Sequence, residues 1–304
     1  MTLFTIVIAL ILEQVQPLAR QRYVLAPLTR YAHFLAERFN AGQHNHGRIA
    51  WSIGVLPGVA LVLTLQILLA WLEPLLGFFL GIAVLYLTMG FRQFSHYFTD
   101  IHLALRMGEL ERARALLGEW RGRVSDRLSS QEVARLAIEE ALVASHHYVF
   151  APLLGFVLFG PAGAMLYRLA LFFRDQWGPV EVGAFGEMAR RAFAAIDWLP
   201  LRVSAGAFAI VGDFEDAVYC WRTQSAQWPD PSAGILLASG AGALGVRLGL
   251  SLHEAGGVSE RPELGLGEQA DVDFMQSTIG LVWRTLVLCL LLLVLFWVAS
   301  WVGR

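Results

Sequence analysis

Lysine is missing from this sequence: all 23 of its Lys+Arg residues are arginines. That excludes a Schiff-base lysine, a phosphate-loop lysine and an ammonium general base. Biased genome composition is the plain source of such a skew, so it assigns no function by itself. Charge of either sign is scarce. Only 16% of the 304 residues are charged, against about 25% in an ordinary soluble domain, and 56% are hydrophobic. The formal net charge of −2 suggests no nucleic-acid partner. The two cysteines, Cys220 and Cys289, lie far apart in apolar surroundings and suggest neither a disulfide framework nor a zinc site. No G-x-x-x-x-G-K-[ST] is present, and no G-x-G-x-x-G follows a strand, so the common nucleotide loops are absent.

What the chain does have is long apolar runs. A helix needs about 20 residues to cross a ~30 Å hydrocarbon core. Residues 2–16 (short), 52–72, 75–95 and 278–302 meet or approach that length. The last run, IGLVWRTLVLCLLLLVLFWVASWV, carries Trp283, Trp297 and Trp301 as interfacial anchors. The first, MTLFTIVIALILEQV, lacks a basic start and a small-residue cleavage site, and reads as a retained span. A fifth candidate, 148–173, is interrupted by Gly160-Pro161.

Arginine placement orients these runs. Arg20, Arg22, Arg30, Arg38 and Arg48 lie between the first and second spans, and seven more run from Arg106 to Arg135. The positive-inside rule makes both segments cytoplasmic and the N-terminus periplasmic, in a bacterial inner membrane. Residues 97–147 read as cytoplasmic amphipathic helices: Leu110, Ala113, Leu116 and Leu117 share one face, and Ser129 with Glu132 forms a capping-box pattern. Residues 186–250 carry charges too often for ordinary spans, and 251–277 read as a cytoplasmic loop. If both flanks of 148–173 are cytoplasmic, that segment is a re-entrant hairpin walling a site; the alternative is a single kinked span. No inverted repeat or matched pair of broken helices points to a transporter.

Several side chains are candidates for chemistry. His146 and His147 are either a metal- or phosphate-binding pair or an interfacial polar turn; adjacent helical residues point about 100° apart, which makes a poor chelate. His96, Asp100 and His102 form a second histidine group, and His44 with His46 a third, more loop-like one. Asp197 and Arg202 sit among apolar residues, where ionisable groups are costly and face a partner or a cavity. They form either an ion pair or a site in which Arg202 meets an anion and Asp197 orients an amine or a water. Arg168, at the end of the candidate hairpin, would add a second guanidinium suited to phosphate or carboxylate.

The order VARLAIEEALVASHHYVFAPLLGFVLFGPAGAMLYRLA, then DWLPLR, AGALGVRLG, RPELG and ADVD before the last span, resembles the CobD/CbiB superfamily over nearly the whole chain. The resemblance implies a single membrane-embedded domain over 1–304 and a cytoplasm-facing cavity for a phosphorylated or anionic small molecule. It also implies adenosylcobinamide-phosphate synthase-like amide ligation in cobalamin biosynthesis, with ATP and Mg²⁺. Carried over residue by residue, it places Asp197 and His147 in catalytic positions. Arg202, Arg168, Arg123, Arg114, Tyr167 and His146 take ligand-binding positions, and no metal ligand is assigned.

The sequence departs from the family where the family is acidic. Val143-Ala144-Ser145-His146-His147-Tyr148 replaces Glu-Asn-Thr-x-Asp-Gly, Phe193-Ala194 replaces Asp-Asp, Asp197 replaces Asn, and Leu237 replaces a Glu. The Asp-Trp-x-Pro-x-Arg form resembles AmpE, the sibling branch, so a non-catalytic membrane sensor is the alternative. The expected architecture is an all-α polytopic membrane protein with about four transmembrane helices, the hairpin and a cytoplasmic helical layer. Its expected partners are the bilayer and an anionic ligand; association with a second copy is left open.

Overall fold

The computed structural model describes residues 2–16, 24–40, 44–123, 126–178, 183–254 and 257–302. Arg20 and Arg22, and the side chains of His44 and Trp301, lie outside what it describes. The chain is an all-α polytopic membrane protein with a small amount of strand near its C-terminal end. Twelve α-helices are described: α1 Thr2–Val15, α2 Ala26–Phe39, α3 His44–Leu72, α4 Pro74–Thr88, α5 Phe91–Arg106, α6 Leu110–Arg121, α7 Ser130–Ser145, α8 Ala151–Trp177, α9 Gly183–Val211, α10 Phe214–Gln224, α11 Pro231–Leu244 and α12 Val272–Val302.

Among the described residues, four helical runs are long and apolar enough to cross a membrane: Asn45–Leu72, Ser130–Trp177, Gly183–Val211 and Val272–Ser300. The number matches the expectation; the membership does not. Helices α1 and α4, expected as spans over 2–16 and 75–95, have 14 and 15 residues. At 1.5 Å per residue each reaches roughly 22 Å, short of a ~30 Å core. The run 75–95 is cut at Met89-Gly90, after which α5 begins. Conversely, α9 is long and apolar enough to span, although most of it falls in 186–250, whose charges predict otherwise.

The chain divides into two compact units, residues 1–90 with 147–200, and 91–146 with 201–304. In the first unit, α3 packs antiparallel against the second half of α8. A side chain at Gly54 would meet the Phe173 ring at 2.6 Å, and one at Gly58 would meet Leu169 Cδ1 at 3.0 Å. The Gly54-x-x-x-Gly58 notch therefore lets α8 approach closely, the arrangement that favours helix pairs where lipid tails are as apolar as the side chains. Around it lies a buried core that includes Trp51, Val55, Tyr167, Phe173, Trp177, Phe185 and Phe193.

Helix α8 is a hairpin rather than a kinked rod. Gly160 has φ 66° and ψ −157°, a region essentially reserved for glycine, and Pro161 follows it. Eight residues of straight helix would separate Gly155 from Gly163 by about 12 Å. Instead, a side chain at Gly163 would collide with the Gly155 carbonyl. The arms before and after Gly160 thus lie against each other, with the turn beside the Gln66 amide of α3.

In the second unit, α7 opens with the expected capping box: Ser129 N–H donates to Glu132 at 2.7 Å and Glu132 N–H donates to Ser129 Oγ at 3.3 Å. Of the four residues expected on the inner face of α6, Ala113 and Leu117 are fully buried. Residues 251–277 are not a featureless loop. Strand β1 (Val246–Gly249) pairs antiparallel with β4 (Glu263–Leu264) and parallel with β5 (Glu268–Gln269), and β2 (Leu252–Glu254) pairs antiparallel with β3 (Gly257–Ser259). Buried acids of α7 hold this ribbon. Glu139 accepts from Gly249 N–H at 2.9 Å and from both Arg261 terminal nitrogens, and Glu132 accepts from His253 N–H at 2.8 Å. Arg135 donates to the Ser251 carbonyl at 2.7 Å.

Candidate functional site

The face of α8 that carries Tyr167 and Arg174 meets the face of α9 that carries Phe193 and Asp197, two antiparallel helical faces within the first unit. The Tyr167 hydroxyl donates to Asp197 Oδ1 at 2.8 Å, and both residues are 2% exposed. The Tyr167 and Phe193 rings lie 5.6 Å apart, and the Arg174 guanidinium sits 4.5 Å above the Phe193 ring. Asp175 takes one edge of Arg174, through Nε at 2.9 Å and Nη2 at 2.7 Å. Arg168 lies 4.7 Å above the Tyr148 ring. The His147 ring stands edge-on to Phe193 at 5.8 Å, and His147 and Asp197 each place a potential ligand atom within 4.8 Å of the other.

Local backbone geometry sets these positions. Residues 146–150 form one wide π-helical turn, and the Tyr148 carbonyl accepts from Gly90 N–H at 3.0 Å. Such turns re-aim side chains and recur at functional sites. Tyr167 is two residues from Leu169, which abuts Gly58, so the Tyr167–Asp197 pair lies near mid-length of the Asn45–Leu72 run. A carboxylate at that depth needs donors, and Tyr167 supplies one.

The expected site residues divide between the units. Asp197, His147 and Tyr167 come together in the first, where Arg168 lies over Tyr148. Arg202, Arg123, Arg114 and His146 belong to the second. The adjacent histidines differ accordingly: His146 is fully buried, with Nδ1 hydrogen-bonded to Ser204 Oγ at 2.8 Å, while His147 is only partly buried. Arg114 serves its own neighbourhood, donating to the Leu128 carbonyl at 2.7 Å and pairing with Glu111 at 2.5 Å. Arg123 is exposed just past the left-handed Gly122 that ends α6, and Arg202 is half-buried on α9.

The other histidine groups also receive definite surroundings. His96 Nε2 accepts from Arg92 Nε at 3.0 Å, which engages that ring nitrogen. His102 carries a lowered pKa, first from burial and then from the Arg106 charge. His46 lies in the first turn of α3, not in a loop. Three residues of the site, Tyr148, Arg174 and Phe193, were not among the expected ligands. Cation–ring pairs leave no fixed spacing in a sequence, so only the buried aromatic content hinted at them.

A family model described as CobD/Cbib protein matches residues 6–300. Cobalamin biosynthesis protein CobD of Stutzerimonas stutzeri is 34% identical over 300 residues, covering 96% of this chain and 97% of its own length. The CobD protein of Chromobacterium violaceum is 37% identical over 214 residues, 69% of each chain. The cobalamin biosynthesis protein CbiB of Salmonella arizonae is 24% identical over 247 residues, 75% of each. No solved structure matches. The comparisons lend the AmpE branch no support.

Proposed function

The chain belongs to the CobD/CbiB family of cobalamin-biosynthesis proteins, and from that premise we propose that it forms an amide bond between a corrinoid carboxylate and the amine of an amino-alcohol phosphate. One observation carries the reading. An acid and a tyrosine, Asp197 and Tyr167, are hydrogen-bonded deep among apolar helices beside an arginine held on a ring. An amine and a phosphate on one small substrate match that combination of charges.

In this reading Arg168 receives the phosphate and Asp197 accepts a hydrogen bond from the substrate ammonium. The corrinoid carboxylate is activated by a nucleoside triphosphate, whose terminal phosphoryl group transfers to a carboxylate oxygen as the nucleoside diphosphate departs. The amine nitrogen then bonds to the acyl carbon, and the bond from that carbon to the phosphate oxygen breaks. Inorganic phosphate leaves, and the protons lost from nitrogen pass to Asp197 or His147. Tyr167 fixes the Asp197 carboxylate and is a positioning residue.

The residues of this cluster do not suit the Mg²⁺ that the family resemblance implies. Mg²⁺ asks for near-octahedral oxygen ligands. Asp197 is the carboxylate on offer, with Tyr167 donating to it, and Asp175 is bound to Arg174. His147 offers an imidazole, a donor suited to softer metals. No step above passes through a metal held by these residues.

The test is reconstitution of the purified protein with a corrinoid acid, an amino-alcohol phosphate and a nucleoside triphosphate, with the product read by mass spectrometry. The expected result is an amide product whose rate falls at least tenfold in Asp197→Asn. Tyr167→Phe should lower kcat more than it raises KM. Ligand binding with no product under any condition would overturn the ligase reading and favour a sensor.

A further inference from the structure

We propose that the exposed face of α2 docks on an anionic bilayer surface, with Phe34 entering the headgroup layer and Arg30, Arg38 and Arg48 meeting lipid phosphates. The proposal concerns the first unit alone and is independent of the amide-ligase reading. It begins from where α3 enters the membrane. No charged residue lies between Arg48 and Glu73, and Trp71, near the far end of that stretch, is 83% exposed. About 20 residues counted back from Leu72 fill a ~30 Å hydrocarbon core and bring its near boundary to Ile53.

Helix α2 is tied to that level. The Tyr31 hydroxyl donates to the Ile53 carbonyl at 3.1 Å, and Trp177 Nε1 donates to the Ala32 carbonyl at 3.2 Å. Helix α2 ends at Phe39 and α3 begins at His44, so α2 runs back along the first turns of α3 with its Pro27 end toward the hydrocarbon. Arg30 and Tyr31 thereby lie at the boundary. Phe34 lies roughly 5 Å outside it, within a headgroup layer roughly 5–7 Å deep.

Ala32 and Leu35 are buried against the core, whereas Arg30, Phe34 and Arg38, at i, i+4 and i+8, line the opposite, exposed face. Phe34 is 57% exposed. Among the described residues no ion pair engages Arg30, Arg38 or Arg48. Residues 16–48 hold five arginines and one acid, Glu37. A phenyl ring between guanidinium groups suits a surface that is anionic outside and apolar beneath, and the charge excess selects anionic over zwitterionic lipid.

The experiment places a bimane label on His33→Cys, an exposed position of α2, in full-length Cys220→Ala, Cys289→Ala protein reconstituted in phosphatidylcholine vesicles. Dibrominated phosphatidylglycerol and dibrominated phosphatidylcholine are compared as quenchers. The phosphatidylglycerol should quench at a several-fold lower mole fraction. Arg30→Gln, Arg38→Gln and Arg48→Gln should each lower that preference by up to about fivefold, the effect of one basic residue at an anionic surface. Salt at about 1 M should lower it too. Phe34→Ser should weaken quenching by both lipids, and Phe34→Leu should retain it. Equal quenching by the two lipids with all three arginines present would overturn the proposal. So would no quenching by either; a disulfide between unlabelled His33→Cys copies would then give the face to a second copy. Loss of the preference on adding glycerol phosphate would assign the arginines to a soluble phosphate and overturn the proposal as well.

Discussion

Glu139 and Arg261, 122 residues apart in the chain, form a two-pronged ion pair at 2.7 and 3.1 Å on the buried side of α7. The same carboxylate accepts the Gly249 N–H, and Arg261 also donates to the Gly249 carbonyl at 2.7 Å. One acid thus closes the 249–261 ribbon onto a helix. Glu139→Ala should destabilise the second unit by about 3–5 kcal/mol, the usual cost of leaving a buried partner without its countercharge. Thermal unfolding in detergent checks this. A double-mutant cycle with Arg261→Met should show coupling between the two sites. Strict additivity would mean that the ribbon is held by something else.

Two glycines of α8 and one of α3 give a ranked prediction. Gly160→Ala forces a side chain onto a glycine-only conformation and against Gln66 Nε2 at 2.6 Å, and should cost about 1–3 kcal/mol. Gly163→Ala drives a methyl into backbone across the hairpin and should be at least as harmful. Gly58→Ala meets the far end of Leu169 at 3.0 Å and should be the mildest of the three. Folded yield and melting temperature of each variant decide the order. Equal, small effects at all three positions would argue for a straight helix.

Much of this architecture was legible in the sequence because apolar runs need little context. The Gly160-Pro161 break was legible too, since a glycine before proline in an apolar run marks irregular backbone. The length of α9 was not. Glu187, Arg190 and Arg191 crowd its first turns, and Asp197 looks too costly until Tyr167 is seen donating to it. The site was partly legible for the same reason: Asp197 and Arg168 stand out as charges among apolar residues. Tyr148 and Phe193 did not, because their value lies in the guanidinium above each ring. Arg114 stood out as a cation, and a sequence cannot tell that its Nε is used on the Leu128 carbonyl.

His102 makes the second unit sensitive to acid. Burial, then the Arg106 charge, holds its pKa below the ordinary imidazole value of about 6.5, while Asp273 opposes them. The unfolded chain therefore binds the proton more readily than the folded one. Stability is fully present above about pH 6.5 and declines as pH falls toward the lower folded value. His102→Gln should flatten this part of the melting-temperature profile between about pH 7 and 5. An unchanged slope in the variant would place the acid sensitivity elsewhere.

The hairpin makes a topological prediction that a single kinked span does not. Phe173 lies against Gly54 and Gly160 against Gln66, so α8 runs toward the Leu72 end of α3 and turns back before reaching it. Asp175 therefore shares a membrane face with Arg48, in the first turns of α3, and Glu73 lies at the opposite face. Applied to the arginine excess between α1 and α3, the positive-inside rule predicts a cytoplasmic Arg48 side. Single cysteines at these three positions, in a Cys220→Ala, Cys289→Ala background, can be labelled with a membrane-impermeant maleimide. Arg48→Cys and Asp175→Cys should react only in inside-out vesicles, and Glu73→Cys only in intact spheroplasts. Reaction of Asp175→Cys from the Glu73 side would rule out the α3–α8 pairing. Reversal of all three would keep that pairing and put the Arg48 end of α3 in the periplasm.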